Sequence, residues 1–286
     1  MTRIAIVTDI HHGLDNLAKK GSASLALMAE FARFVADSKP DLVLDLGDRI
    51  TDSDHDTDLV LEREVAEAFA AIEAPILHIN GNHDRDFLSV AENEAILGQP
   101  LGHRVIDAGD WRVVLWRADT KLHRPGGFRL AEPDLIWLEQ VVRQADRPLL
   151  IASHVPLSGH DMTGNYWFER NQHVSRYPGS DRIRAVLARA TVPVACVAGH
   201  VHWNSLTMLD AIPHFTLQSL VEISTTAPQP AGAWGLMQLD RKIDWEVFGL
   251  DPFAVRLDAA RTVQRPLPCL PVFRDLALPV PLTVGG

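Results

Sequence analysis

Short runs of Val, Ile and Leu recur along the first two-thirds of the chain, at Ile4–Val7, Leu42–Leu46, Pro75–Ile79, Val113–Trp116, Leu149–Ala152 and Val192–Ala198. Runs this brief and this uniformly apolar predict strands buried on both faces. Between them, Leu25–Val35, Leu59–Ile72, Leu135–Val142 and Ile183–Leu187 space their apolar residues at helical intervals, and Glu132-Pro133 and Ser180-Asp181 supply helix-start chemistry. Strands alternating with helices predict an α/β fold around a largely parallel or mixed sheet. Past residue 203 the helical period fades, and His214–Leu220, Ala233–Asp240 and Lys242–Leu250 predict antiparallel strands forming a second sheet packed on the first. From Asp251 the chain turns Pro-rich (Pro266, Pro268, Pro271, Pro279, Pro281), which predicts a domain over 1–250 and an extended segment over 251–286 lying on the body or on a second subunit. The apolar residues among those prolines, such as Leu267, Leu270 and Phe273, make a homodimer the expected assembly.

Charge narrows the partners. With 37 acidic and 27 basic side chains the formal charge is −10, and no Lys/Arg block interrupts it. Nucleic-acid affinity comes mostly from clustered cations on phosphates, so a polymer of that kind is not expected and a small ligand is. No apolar stretch reaches the ~18–20 residues of a membrane span, and Met1–Asp9 runs from Arg3 into a strand without a signal-type apolar region. The expectation is a cytoplasmic protein that does not engage a membrane. Two cysteines cannot build a disulfide framework, and Cys196 sits in an apolar run as a buried thiol. Thirteen histidines are the outlier, because imidazole both titrates near neutrality and ligates metals.

The residues at the end of each predicted strand are more telling. Ile4–Val7 leads to Asp9, His11 and His12; Leu42–Leu46 to Gly47-Asp48-Arg49; Pro75–Ile79 to Gly81-Asn82-His83-Asp84; Leu149–Ala152 to Ser153-His154; Val192–Ala198 to Gly199-His200-Val201-His202. In open α/β sheets ligands bind outside the carboxyl ends of the strands, so these groups should converge. The converged set is oxygen and imidazole nitrogen without thiolate, which suits Mn, Fe or Zn and leaves the metal's identity open. Seven ligands exceed one ion's needs and match two ions sharing a carboxylate.

This series resembles the signature of the calcineurin-like metallophosphoesterases, element by element and in order, over residues 1 to about 203. The resemblance implies a four-layer α/β/β/α sandwich of two mixed sheets with a binuclear site at the carboxyl ends of the strands. It further implies that Asp9, His11 and His202 hold one metal and Asn82, His154 and His200 the other, with Asp48 bridging. His83 would donate a proton to the leaving oxygen with Asp84 orienting it, while a metal-bridging hydroxide attacks phosphorus in line.

Some positions depart from that pattern: His12 doubles the first histidine, Arg49 follows the bridging Asp, and Ser153-His154-Val155-Pro156 lacks the doubled histidine common among cyclic-nucleotide members. His12, Arg49 and Asn82 are candidate substrate contacts. So are His160, Tyr166 and Trp167 in the aperiodic stretch Leu157–Pro178, with Asn165, Arg170 and His173 beside them. The acidic loop Thr51–Asp58 and the turn His123–Gly127 read as solvated. Small soluble phosphodiesters of the cyclic-nucleotide or glycerophosphodiester type are the expected substrates. A phosphomonoesterase acting on a nucleotide or sugar phosphate is the alternative. A non-catalytic scaffold would be expected to have lost ligands, and a mononuclear hydrolase is disfavoured by their number.

Overall fold

A computed structural model describes residues 1–259 and Val272. Its elements are β1 (Thr2–Val7), α1 (Ser24–Ser38), β2 (Leu42–Asp45), α2 (His55–Ala70), β3 (Ile76–His78), α3 (Val90–Leu97), β4 (Arg104–Ala108), β5 (Trp111–Leu115), α4 (Glu132–Arg143), β6 (Leu149–Ser153), α5 (Ser180–Leu187), β7 (Val194–Ala198), β8 (Ser205–Leu209), β9 (Ile212–Thr216), β10 (Trp234–Leu239), β11 (Lys242–Phe248) and β12 (Phe253–Asp258). Two six-stranded mixed sheets result, in the orders β12-β11-β10-β1-β2-β3 and β4-β5-β6-β7-β9-β8.

The apolar runs are unbroken because successive side chains enter different cores. From β1 and β2, Ile4, Ile6, Leu42 and Leu44 point between the sheets, where they meet Val113, Leu115, Leu150, Ala152, Ala195 and Val197. Ala5, Val7 and Val43 point the other way, onto Met28, Phe31 and Val35 of α1 and Val65 and Phe69 of α2. On the far side, Val114, Leu149, Ile151, Val194 and Cys196 meet Leu135 and Leu138 of α4 and Ile183 and Val186 of α5. Three parallel cores therefore separate four layers, α/β/β/α. Asp54 starts α2 by accepting from the amides of Asp56 and Thr57, and a Pro in the first turn starts α4.

The strands after residue 203 do not form a sheet of their own. β10 pairs antiparallel with β1, and β11 and β12 extend that sheet; β9 lies parallel to β7 and antiparallel to β8 in the other. The reason is that β1 and β7 would otherwise each leave one edge of backbone amides and carbonyls unpaired. β12 also lies past residue 250, with Phe253, Val255 and Leu257 packed on the inter-sheet core, so the body runs at least to Asp258. The expectations for the proline segment and its dimer role fall on 260–286, outside the described residues apart from Val272. No helix among the described residues is long and apolar enough to cross a membrane.

Candidate metal centre

The carboxyl ends of β1, β2, β3, β6 and β7 lie side by side, and the turns that leave them are sharp. Asp9, His11, Asp48, His200 and His202 all adopt positive φ, between 45° and 68°. Left-handed backbone at a residue with a side chain costs about 1–3 kcal/mol and persists only where the surroundings enforce it. Here the loops brace one another: Asp9 N donates to Gly47 O, His11 N to Asp48 O and Gly199 N to His154 O. Two glycines permit the close approach. A Cβ on Gly81 would collide with the Asp48 carboxylate, and one on Gly199 with Thr8 and the Asp9 carboxylate.

The potential ligand atoms of Asp9, His11, Asp48 and His202 lie within 4.8 Å of one another, as do those of Asp48, His154 and His200, so Asp48 belongs to both groups. Asn82 Oδ1 stands 3.3 Å from His154 Nε2. Second partners decide which ring nitrogen each histidine presents. His154 Nδ1 donates to Leu46 O at 2.9 Å, His202 Nδ1 to Glu222 Oε2 at 2.8 Å, and His200 Nε2 to Val174 O at 2.8 Å. His154 Nε2, His202 Nε2 and His200 Nδ1 are thereby directed at the cluster, where each would offer a lone pair once its proton is displaced by a cation. His11 Nε2 lies 2.9 Å from His202 Nε2, two nitrogens that can share a proton or a cation but gain nothing from each other when both are unprotonated. Asp9 Oδ1 is buried without a hydrogen-bond partner, although His202 Nε2 is 3.1 Å away. Lone pairs converging on buried carboxylates, one of them orphaned, are what two divalent cations fit.

Without metal these groups hold protons unevenly. Burial acts to raise Asp48 and Asp9, but the surrounding imidazoles, His154 foremost at Asp48 and His202 at Asp9, keep both carboxyls below their usual range. Burial opposes charge on His154, yet Asp48, Asp9 and Asp84 lift it to about 9; burial, with His154 alongside, pushes His200 down to about 3.

His83 is half-exposed at the cluster's rim, edge-on to His11 with ring centroids 4.8 Å apart, and its backbone N–H donates to Asp48 Oδ1 at 2.8 Å. The carboxylate on His83 Nδ1 is that of Asp52. Asp84 does not orient it: its Oδ2 accepts from Asp48 N (2.9 Å) and Gly81 N (2.7 Å), and its Oδ1 accepts from Arg49 N (2.8 Å). A residue next to His83 in a tight turn is directed back into the turn, whereas Asp52 arrives from the loop after β2. Arg49 likewise cannot touch a substrate. It is fully buried, with Nη1 on Asp45, Nε on Glu62, Nη2 on Asn80 and Asn93, and Asp84 at 3.2 Å. Burial pushes Glu62 up to about 8 even against the Arg49 charge.

A cavity of about 780 Å³ opens over the cluster. Asp48, Asn82, His83, His200 and His202 form its floor, and Trp167, Phe168 and Val174 line it from the Leu157–Pro178 stretch. Of the other expected contacts, Asn82, Trp167 and His173 line it. His12 does not, being held by Ser24 and Glu64 at 2.8 Å each. His160 hydrogen-bonds Ser158 instead, and exposed Tyr166 flanks a neighbouring hollow; Asn165 is spent bracing the loop, bonding Val201 O and the amides of Trp167 and Phe168. Sequence reasoning missed four positions at the site: Lys19, Asp52, Arg124 and Glu222. Asp52 and Arg124 lie in the stretches read as solvated, and spacing from Asp48 was the only available signal for Asp52. Nothing local marks Glu222, whose carboxylate joins His202 Nδ1 to Trp167 Nε1.

A family model for calcineurin-like phosphoesterases matches residues 2–204. No curated protein matches the chain in sequence. Among solved structures, a dimetal phosphatase from Danio rerio superposes with a TM-score of 0.72 at 16% identity, covering 91% of this chain and 99% of that one. GAP50, the anchor in the inner membrane complex of Plasmodium, superposes with a TM-score of 0.55 at 12% identity, covering 90% of this chain and 89% of that one. At such identities the likeness is one of fold.

Proposed function

The chain belongs to the calcineurin-like phosphoesterase family and is a metal-dependent phosphoesterase, and from that premise we propose that it hydrolyses small soluble phosphodiesters of the cyclic-nucleotide or glycerophosphodiester type. The observation that supports the diester reading is the cavity: beyond the ligand cluster it is also lined by Leu122, Arg124, Pro125 and Phe168, and its volume of about 780 Å³ is larger than a phosphoryl group alone would fill. Asp9, His11 and His202 would hold one divalent ion, Asn82, His154 and His200 the other, and Asp48 both. Ions held there would supply charge to offset the phosphoryl oxygens and to acidify a water.

The remaining work falls to the chain. His83, with Nδ1 on Asp52, has Nε2 free of protein partners among the described residues and donates a proton from it to the leaving oxygen. Asp84 and Arg49 fix the turns that carry Asp48 and Gly81. Trp167 and Phe168 exclude water from one wall. The same proposal includes a cytoplasmic site of action and a homodimer, which cell fractionation and ultracentrifugation of the full chain would test.

The test is a panel of bis(p-nitrophenyl) phosphate, p-nitrophenyl phosphate, cyclic nucleotides and glycerophosphodiesters with protein reloaded with Mn, Fe or Zn. Diester turnover above monoester turnover is expected. Cleavage of p-nitrophenyl phosphate with none of any diester would make the protein a phosphomonoesterase.

A further inference from the structure

His11 differs from the other histidines of the cluster in what its second nitrogen meets. His154, His200 and His202 each pass that N–H to an oxygen, whereas His11 Nδ1 faces the ammonium of Lys19 at 3.2 Å. An ammonium only donates, and an imidazole nitrogen accepts only while unprotonated. His11 Nδ1 therefore serves Lys19 as long as the ring's proton sits on Nε2. But Nε2 is the nitrogen directed at the cluster, 2.9 Å from His202 Nε2 and 3.8 Å from both Asp9 Oδ1 and Asp48 Oδ2. A cation held by Nε2 would leave the ring's proton on Nδ1, against the Lys19 ammonium.

Among the described residues no other acceptor bonds the Lys19 ammonium. It is 5% exposed, and among the described residues it has no carboxylate within 4.0 Å and no further hydrogen bond. Burial lowers the pKa of the Lys19 ammonium, while Asp48, Asp9, Glu222 and Asp52 favour its charge from beyond 4.0 Å; Asp52 is engaged with His83, and Glu222 with His202 and Trp167. Its remaining neighbour is the face of Trp167, 5.5 Å from Nζ. The backbone that delivers it is fixed: Asn16 Oδ1 accepts from the amides of Ala18 and Lys19 at 3.0 and 2.9 Å, and Lys19 forms a β-bridge with Glu222. A buried cation, rigidly based and short of acceptors, thus lines the cavity beside His83, Asn82 and His202. A buried ammonium has three protons to place and Lys19 has one direct partner among the described residues, so an anionic oxygen entering the cavity would supply a second.

We propose that Lys19 is a substrate-binding residue that holds a nonbridging oxygen of the phosphoryl group, a role that rests on the phosphoesterase reading of the site but on no particular ester. The stem of a lysine lets the ammonium turn from His11 toward the cavity without backbone movement. Lys19 and the metal site would then take the same anion from two sides.

Full-length Lys19→Met and Lys19→Arg would be compared with wild type for bound metal by plasma emission, for inorganic phosphate affinity of the metal-loaded protein by calorimetry, and for kcat and KM on any panel ester that wild type cleaves. A lost charge-assisted hydrogen bond predicts phosphate binding weaker by about 10–100-fold in Lys19→Met at unchanged metal content, with KM rising more than kcat falls and Lys19→Arg recovering part of the loss. Phosphate affinity equal to wild type, no phosphate binding by wild type, or a loss of phosphate binding that merely tracks lost metal would each overturn the assignment. The last result would make Lys19 a support for His11. Should Lys19→Met not fold, Lys19→Gln removes the charge and keeps a polar donor, and the same outcomes apply. Lys19-dependent phosphate binding without turnover of any ester would sink the substrate reading alone, while diester turnover indifferent to Lys19 would sink this one alone.

Discussion

An imidazole tied through Nδ1 to a carboxylate keeps a fixed ring plane and presents Nε2 outward, which is what a proton donor at the edge of a metal site requires. His83 has that arrangement through Asp52. His83→Ala should keep both metals by plasma emission and lose about 10²–10⁴ in turnover. The loss should be greater for alkoxide leaving groups than for p-nitrophenolate, which departs without a proton. Asp52→Asn should show the same leaving-group dependence with a smaller loss, whereas a role for Asp52 in metal retention would show as lost metal instead. Glu222 does for His202 what Leu46 O does for His154. Glu222→Gln should weaken metal binding by about 10–100-fold in a competition titration; unchanged affinity would mean the ring is oriented by packing alone.

Each ligand-bearing loop is short, so its geometry is set by its neighbours. Gly199 packs against Thr8 and Asp9 at the end of β1, and His200 N donates to Asp9 Oδ2 at 2.9 Å. Gly199→Ala should therefore displace Asp9 and cost the metal held with it, while far-ultraviolet circular dichroism stays that of wild type. α2 is coupled to the same loops through Glu62 and Arg49. Folding raises the Glu62 carboxyl from 4.5 to about 8, so across that window the native chain keeps a proton the unfolded chain releases. The stability this contributes is complete below the unfolded value and is lost as pH climbs through about 8. Glu62→Gln, neutral throughout, should melt with a flatter pH dependence between pH 5 and 8 than wild type; an unchanged slope would show that Glu62 is ionised in the native state.

Across the whole molecule, three apolar cores hold the sheets and helices together, and the ligand cluster sits outside them where the strands end. One buried carboxylate oxygen of the cluster, Asp9 Oδ1, has no hydrogen-bond partner. Because ions would bind the folded chain in preference to the unfolded one, free metal at a hundred times its Kd should add about 2.7 kcal/mol. Calorimetric scans should accordingly show the melting temperature rising with added Mn or Zn and falling on chelation. A melting temperature indifferent to both would mean that the cluster holds no ion.

The alternation of strands and helices and the floor of the site were legible in the residues, while the four layers came from the family resemblance and the separate sheet expected after residue 203 did not form. Double-sided burial requires unbroken apolar runs, and turns at strand ends require Gly, Asn and Asp, so Asp9, His11, Asp48, Asn82, His154, His200 and His202 were legible as a converging set. The placement of β10 beside β1, the exchange of Asp84 for Asp52 at His83, the withdrawal of Arg49 into the interior and the arrival of Lys19 and Glu222 emerge only once the chain is folded. β-pairing partners and side-chain acceptors are chosen by proximity between segments up to about two hundred residues apart, as with His202 and His11. A single histidine or lysine carries no local mark of which carboxylate, carbonyl or cavity the folded chain will bring against it.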